Sequence, residues 1–188
     1  MFGLRCRSDS RGLRNGAGSN RRRRSGHAFP RPCALEPTPN ERYRRTATPN
    51  PQAVYWDASA VLSVVIADVH SAKATTAARR NDAHLLSTLA LAEALAVVAR
   101  LEREGALPAA LADAARDVVV NGPWRRLSLQ PDWKSVETLA ARWPLRGADL
   151  WHLATADTLR RELPDLKVIT FDTRLGVASQ GIGLRVIS

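Results

Sequence analysis

Short apolar runs alternate with helical stretches from Ala53 onward, and this alternation most narrows what the chain can fold into. Ala53-Val-Tyr-Trp, His84 to Ser87, Arg125 to Leu129, Lys167 to Phe171 and Leu184 to Ile187 read as strands, four of them short enough to be buried and Arg125 to Leu129 by its alternation. Helices are expected from about Ser59 to Ala67, from Ser71 to Asn81, and from Leu89 to Glu104 with Thr88 as a cap and Gly105 as the stop. Pro108 and the Asn121-Gly122-Pro123 breaker enclose another. Asp132 to Arg142, closed by Pro144, Gly147 to Glu162 and Thr173 to Ser179 complete the set. Strands separated by helices favour a mostly parallel sheet covered on both faces, a three-layer α/β/α sandwich.

Charge divides the chain at the same place. The 188 residues carry a formal +10, but residues 1–52 hold 12 Arg and no Lys against Asp9, Glu36 and Glu41, so +9 of it lies there. This stretch is rich in Arg, Gly, Ser, Asn and Pro without helical or strand period, and is expected to be a disordered extension preceding one domain at 53–188. A start assigned too far upstream would also produce such a segment. Arg21 to Arg24 suit phosphate contacts, since clustered guanidinium groups release counterions from a polyanion. Both cysteines, Cys6 and Cys33, fall in this extension, which leaves the domain without a disulfide framework and suits a reducing cytoplasm. The apolar run from Ala58 to Ala67 is too short to span a bilayer, so no membrane association is expected.

Four carboxylates stand out within the domain. Asp57 follows the first strand, Asp149 falls in the first turn after Pro144 and Gly147, and Asp172 follows Val-Ile-Thr-Phe. Each of these three has an ordinary explanation as a helix cap or a favourable charge at a helix N-terminus. Glu93 resists one, because its helical neighbours at three and four positions are Ala90, Leu89, Ala96 and Val97. A carboxylate on or beside a buried face needs a partner or a cation, and Arg100 is the nearest salt-bridge alternative. Several acids gathered at one sheet edge repel one another unless a cation neutralises them. Oxygen donors without cysteine or paired histidine point to Mg²⁺ or Mn²⁺. Such an ion activates water and stabilises phosphoryl charge, so metal-assisted phosphodiester hydrolysis is the reaction that fits.

Tyr-Trp-Asp-Ala-Ser-Ala, an acid in the helix after a short strand, Arg-Gly-Ala-Asp-x-x-His-Leu-Ala-Thr-Ala and Thr-Phe-Asp-x-Arg-Leu occur in that order between Val54 and about Ile187. In this the chain resembles PIN-domain nucleases, and more narrowly the VapC-type toxins of prokaryotic toxin–antitoxin pairs. The resemblance implies Mg²⁺- or Mn²⁺-dependent endoribonuclease activity with an acidic quartet at Asp57, Glu93, Asp149 and Asp172. It makes Asp57 and Asp149 direct ligands, lets Glu93 complete the site directly or through water, and gives Asp172 a second ion or its water shell. Ser59 matches the small hydroxyl residue that braces a carboxylate. A VapB-type antitoxin blocking the acidic groove and a homodimer are the implied partners, with RNA as substrate and the cytoplasm as location. The extension matches nothing in the family pattern.

Other residues carry smaller expectations. His152 is a substrate contact or a packed helix histidine, Arg146 and Arg174 are candidate phosphate holders beside Arg125, Arg126 and Arg142, and Asp157 is an outer-shell or exposed acid. Trp124, Trp133, Trp143 and Trp151 either stack bases or pack in core and interface. The rival outside enzymes is a noncatalytic PIN-fold module binding RNA or protein. A haloacid-dehalogenase-type phosphatase would want an aspartate where Ser59 stands, and a receiver domain a lysine after the late strand, where Asp172 stands.

Overall fold

A computed structural model describes residues 51–188. The expectation for 1–52 therefore falls, up to residue 50, outside the described residues. The strands are β1 (Ala53–Trp56), β2 (Ala83–Ser87), β3 (Arg125–Leu127), β4 (Lys167–Ile169) and β5 (Arg185–Ile187). The helices are α1 (Ala58–Val65), α2 (Ser71–Ala78), α3 (Thr88–Arg103), α4 (Ala109–Asn121), α5 (Trp133–Arg142), α6 (Gly147–Glu162) and α7 (Thr173–Gly181). One five-stranded sheet runs in the order β3-β2-β1-β4-β5, and every pairing in it is parallel. The expected α/β/α sandwich is present.

Alternation along β1 explains the two-sided core. Val54 and Trp56 point to one face, where they pack with Val61, Leu86, Ala90, Ala94 and Ile169, while Tyr55 points to the other and packs with Leu85, Ala156 and Val168. A third cluster, Leu139, Leu153, Ala154, Leu175 and Ala178, joins α5, α6 and α7. Small residues let these helices approach closely. A Cβ added at Gly181 would run into the six-membered ring of Trp143, with no flexible side-chain end to give way. Gly181→Ala is accordingly expected to lower stability by about 1–3 kcal/mol, the usual cost of overpacking, measured by urea unfolding; an unchanged midpoint would contradict it.

Several boundaries shift by one to three residues from the sequence reading, and two of the shifts have a clear cause. The cap of α3 is Ser87, whose Oγ accepts from the Ala90 amide at 3.2 Å, so Thr88 is the first helical residue instead. The last residue of β2, with extended ψ, already offers the hydroxyl that the free amides need. Strand β3 ends at Leu127, short of Leu129, as an edge strand paired only with β2. Strands β2 and β3 lie on one side of β1, and β4 and β5 on the other. The direction of winding thus reverses between β1 and β4, and at such a switch point the loops leaving the carboxyl ends diverge and open a crevice.

Candidate active site

Asp57 stands at that crevice. It caps α1 directly after β1, accepting from the Ala60 amide at 2.8 Å. Ser59 Oγ lies 2.8 and 2.9 Å from its two carboxylate oxygens, and Thr170 Oγ1 donates to Oδ2 at 2.6 Å. Thr170 follows β4, so this last bond ties the ends of the two strands at the switch point. The same two hydroxyls hold the next loop, since Phe171 N donates to Ser59 Oγ at 2.9 Å and Asp172 N to Thr170 Oγ1 at 3.1 Å. Asp172 then caps α7 by accepting from Leu175 N at 2.8 Å. Cap and site are one arrangement here: the extended backbone that starts each helix also turns its carboxylate toward the edge.

Asp149 lies in the first turn of α6 and Glu93 in the second turn of α3, both partly exposed. Glu93 is held by a residue other than Arg100. Its Oε2 is 2.7 Å from His152 Nε2, whereas Arg100 reaches Glu104 at 4.0 Å. Arg100 lies two turns further along α3, about 10 Å up the axis, so the salt-bridge alternative fails on distance and Arg100 turns to Glu104 instead. His152 is buried, with Nδ1 2.8 Å from the Tyr55 hydroxyl. That placement fits the packed helix histidine, the second of the two readings, since both ring nitrogens are engaged and the side chain is buried.

Burial is the main cause that raises the Asp149 carboxyl, the charges of Asp172 and then Glu93 push it further, and His152 and Arg146 oppose them. Burial likewise raises Asp57, against the hydrogen bonds from Thr170, Ala60 and Ser59 that favour its charged form. The raised carboxyl of the folded state binds a proton that the unfolded chain releases, so stability owed to Asp57 falls as pH rises from its ordinary value of 3.8 through the raised one. Asp57→Asn, which lacks that charge, is therefore expected to be more stable than the parent near neutral pH, with the advantage shrinking toward about pH 4. Urea unfolding at the two pH values checks it; equal stability at both would contradict it.

Other expected residues lie further out. Arg146 precedes α6 on the surface and Arg174 is exposed in the first turn of α7, so each flanks an acid. Asp157 is neither exposed nor near the acids: it is 9 % exposed and bonded to Ser135, Arg160 and Arg161 towards the far end of α6. Two turns along a helix carry a side chain about 11–12 Å from Asp149, which is why sequence proximity misplaced it. Trp124 is in the core, while Trp133 is 63 % exposed and meets Trp151 edge to face at 5.9 Å. Thr170 and Tyr55 went unremarked in the sequence. For Thr170 the available signal was a hydroxyl two residues before Asp172, in the Thr-Phe-Asp motif itself.

The donor set at the edge is all oxygen, with the charges of Asp172 and Glu93 raising the Asp149 carboxyl, and this chemistry fits a hard divalent cation. Among the described residues no three His, Cys, Asp or Glu side chains stand close enough together to hold a metal ion as they are. Open hollows border the edge: one of about 470 Å³ between Thr88, Leu89 and Gly147, Ala148, Trp151, another of about 330 Å³ along His70, Phe171 and Asp172. The model of the PIN domain family matches residues 54–179, which includes all four acids. The chain belongs to the PIN domain family. PIN domains are generally nucleases and typically bind divalent metals, so a nuclease-type function follows for this PIN domain. The crystal structure of PAE2754 from Pyrobaculum aerophilum is similar, with 20% identity, a TM-score of 0.51, and coverage of 72% of this chain and 83% of that one. At this identity the likeness is one of fold. Comparison with curated proteins returned no match. Among the described residues of the PIN domain, no helix is long and apolar enough to cross a membrane.

Proposed function

We propose that this PIN domain is a Mg²⁺- or Mn²⁺-dependent endoribonuclease and the toxin of a toxin–antitoxin pair, restrained by a VapB-type antitoxin. The observation that supports the nuclease part is the link from the Asp57 carboxylate through Thr170 Oγ1 to the backbone amide of Asp172 at the switch point, with the Asp149 carboxyl raised by the charges of Asp172 and Glu93. The toxin assignment rests on the order and wording of the motifs, above all Arg146-Gly-Ala-Asp149 with His152-Leu-Ala-Thr-Ala. Cytoplasmic location and a homodimer belong to the same reading.

Asp57 and Asp149 would hold the ion, with Glu93 and Asp172 completing its surroundings directly or through water. When bound, the ion would lower the pKa of water at the site and offset charge on the phosphoryl oxygens. Ser59 and Thr170 fix the Asp57 carboxylate in one orientation, so little ordering is left to do when RNA arrives. Arg146 and Arg174, on either side of the acids, suit neighbouring phosphates of the strand. The open edge admits a polymer running past it, as cleavage within an RNA chain requires.

Purified protein is expected to cut single-stranded RNA with Mg²⁺ or Mn²⁺ and to stop in excess EDTA, with activity restored by adding the ion back. Cleavage that persists in EDTA would overturn the metal dependence. Absence of cleavage across a panel of structured RNAs, with RNA still bound, would favour the noncatalytic module. Growth arrest on expression, relieved by the product of a small adjacent reading frame, tests the toxin assignment.

A further inference from the structure

The sheet face behind the acids carries polar groups that the nuclease reading leaves unused. Tyr55, Ser87 and His152 are all buried. The Tyr55 hydroxyl lies 3.1 Å from Ser87 Oγ and 2.8 Å from His152 Nδ1, and His152 Nε2 lies 2.7 Å from Glu93 Oε2. Four residues from β1, β2, α6 and α3 are thus joined in one line of hydrogen bonds. Each sits close in sequence to a component of the site: Tyr55 is two residues before Asp57, His152 three after Asp149, and Ser87 caps the helix that carries Glu93.

Proton placement along this line has few solutions. Glu93, as a carboxylate, only accepts, so Nε2 must carry a proton and donate to it. With Nδ1 unprotonated, Tyr55 donates to Nδ1 and Ser87 donates to Tyr55; with Nδ1 protonated, His152 donates to Tyr55 and Tyr55 donates to Ser87. The first order satisfies every group, whereas the second leaves the Ser87 hydroxyl proton without an acceptor among the described residues; in both, Nε2–H points at Glu93. A phenol carries its proton near neutral pH, as each order needs. Oε1 of Glu93 accepts no hydrogen bond among the described residues, and the side chain is 31 % exposed, so one oxygen is tethered and the other left toward the edge.

We propose that Ser87, Tyr55 and His152 form a buried brace that sets the spacing of three of the four acid-bearing elements, with His152 the positioning residue that fixes Glu93 with one oxygen free. The inference draws on the nuclease reading for why Glu93 must be fixed, and its test separates the two. In metal-free ¹⁵N-labelled protein, His152 is expected to show a slowly exchanging Nε2-bound proton whose resonance moves in Glu93→Gln, and Tyr55→Phe is expected to broaden the ring into more than one state. A proton confined to Nδ1, or a resonance indifferent to Glu93→Gln, would overturn the brace.

Calorimetric titration with Mn²⁺ alone gives the second arm. Tyr55→Phe and His152→Ala are expected to lower affinity about 10- to 100-fold, the usual range for losing a group that orients a ligand. KM for RNA should stay within about twofold, since neither side chain reaches the surface. Tyr55→Phe keeps the ring, so it carries the test if His152→Ala does not fold. Parental Mn²⁺ affinity in a folded variant would overturn the role. If the parent protein itself takes up no Mn²⁺, the nuclease reading fails, and the resonance of His152 still decides whether the brace exists.

Discussion

Asp149→Asn is expected to reduce RNA cleavage about a thousandfold while leaving the fold intact. Asp149 lies in the first turn of α6, partly exposed, and makes no hydrogen bond that holds α6 in place, so an isosteric amide disturbs little packing. What the change removes is charge. The Asp149 carboxyl is already raised by burial and by Asp172 and Glu93, the condition under which a cation gains most from sitting among them. Losing an anionic donor forfeits several kcal/mol of transition-state stabilisation, and each 1.36 kcal/mol is about tenfold in rate. Unfolding by urea near neutral pH should show no loss of stability, since an ionised Asp149 with a raised carboxyl costs the fold as Asp57 does. Cleavage within tenfold of the parent would contradict the assignment.

Trp56→Ala is expected to have the largest effect on stability. Trp56 ends the central strand β1 and is fully buried. Its ring meets Trp124 edge to face at 4.9 Å and His84 at 5.6 Å, and its indole N–H donates to His84 Nδ1 at 3.2 Å. Truncation leaves a cavity in the largest core cluster and an unpartnered imidazole nitrogen, costing about 3–5 kcal/mol. Thermal unfolding should fall by on the order of 10 °C or more. Asp57 is the next residue, so activity is expected to fall as well. A loss of less than about 1 kcal/mol would contradict the prediction.

The parallel sheet was legible because period and punctuation agree along the chain. Ala53-Val-Tyr-Trp stops at an aspartate that both caps α1 and serves the site, and Gly147 and Pro144 bracket the start of α6 where Asp149 follows. Local signals of this kind are written in neighbouring residues. The partners of Glu93 and Asp157 are not. Arg100 and an exposed Asp157 were reasonable from spacing on one helix, yet the true partners, His152 at 59 residues from Glu93 and Ser135 at 22 from Asp157, come from other elements. Which helix packs against which is decided by the strand order, and the order β3-β2-β1-β4-β5 is what brings α3 and α6 together across β1. Thr170 shows the same limit: its hydroxyl matters only because β4 pairs with β1 and delivers it to Asp57.

The stability and activity of Asp57 variants separate in this account. A charge held in a buried crevice weakens the fold near neutral pH, and the same charge is what a cation would need there. Ser59 and Thr170 keep it ionisable by donating hydrogen bonds.

The most direct measurement is anomalous diffraction at the manganese edge from crystals soaked in Mn²⁺, paired with the same soak of Asp57→Asn. The account predicts a manganese peak within bonding distance of the Asp57 and Asp149 carboxylates in the parent, and its loss in the variant. A saturating soak with no peak at that edge, or with manganese bound only elsewhere, would contradict it.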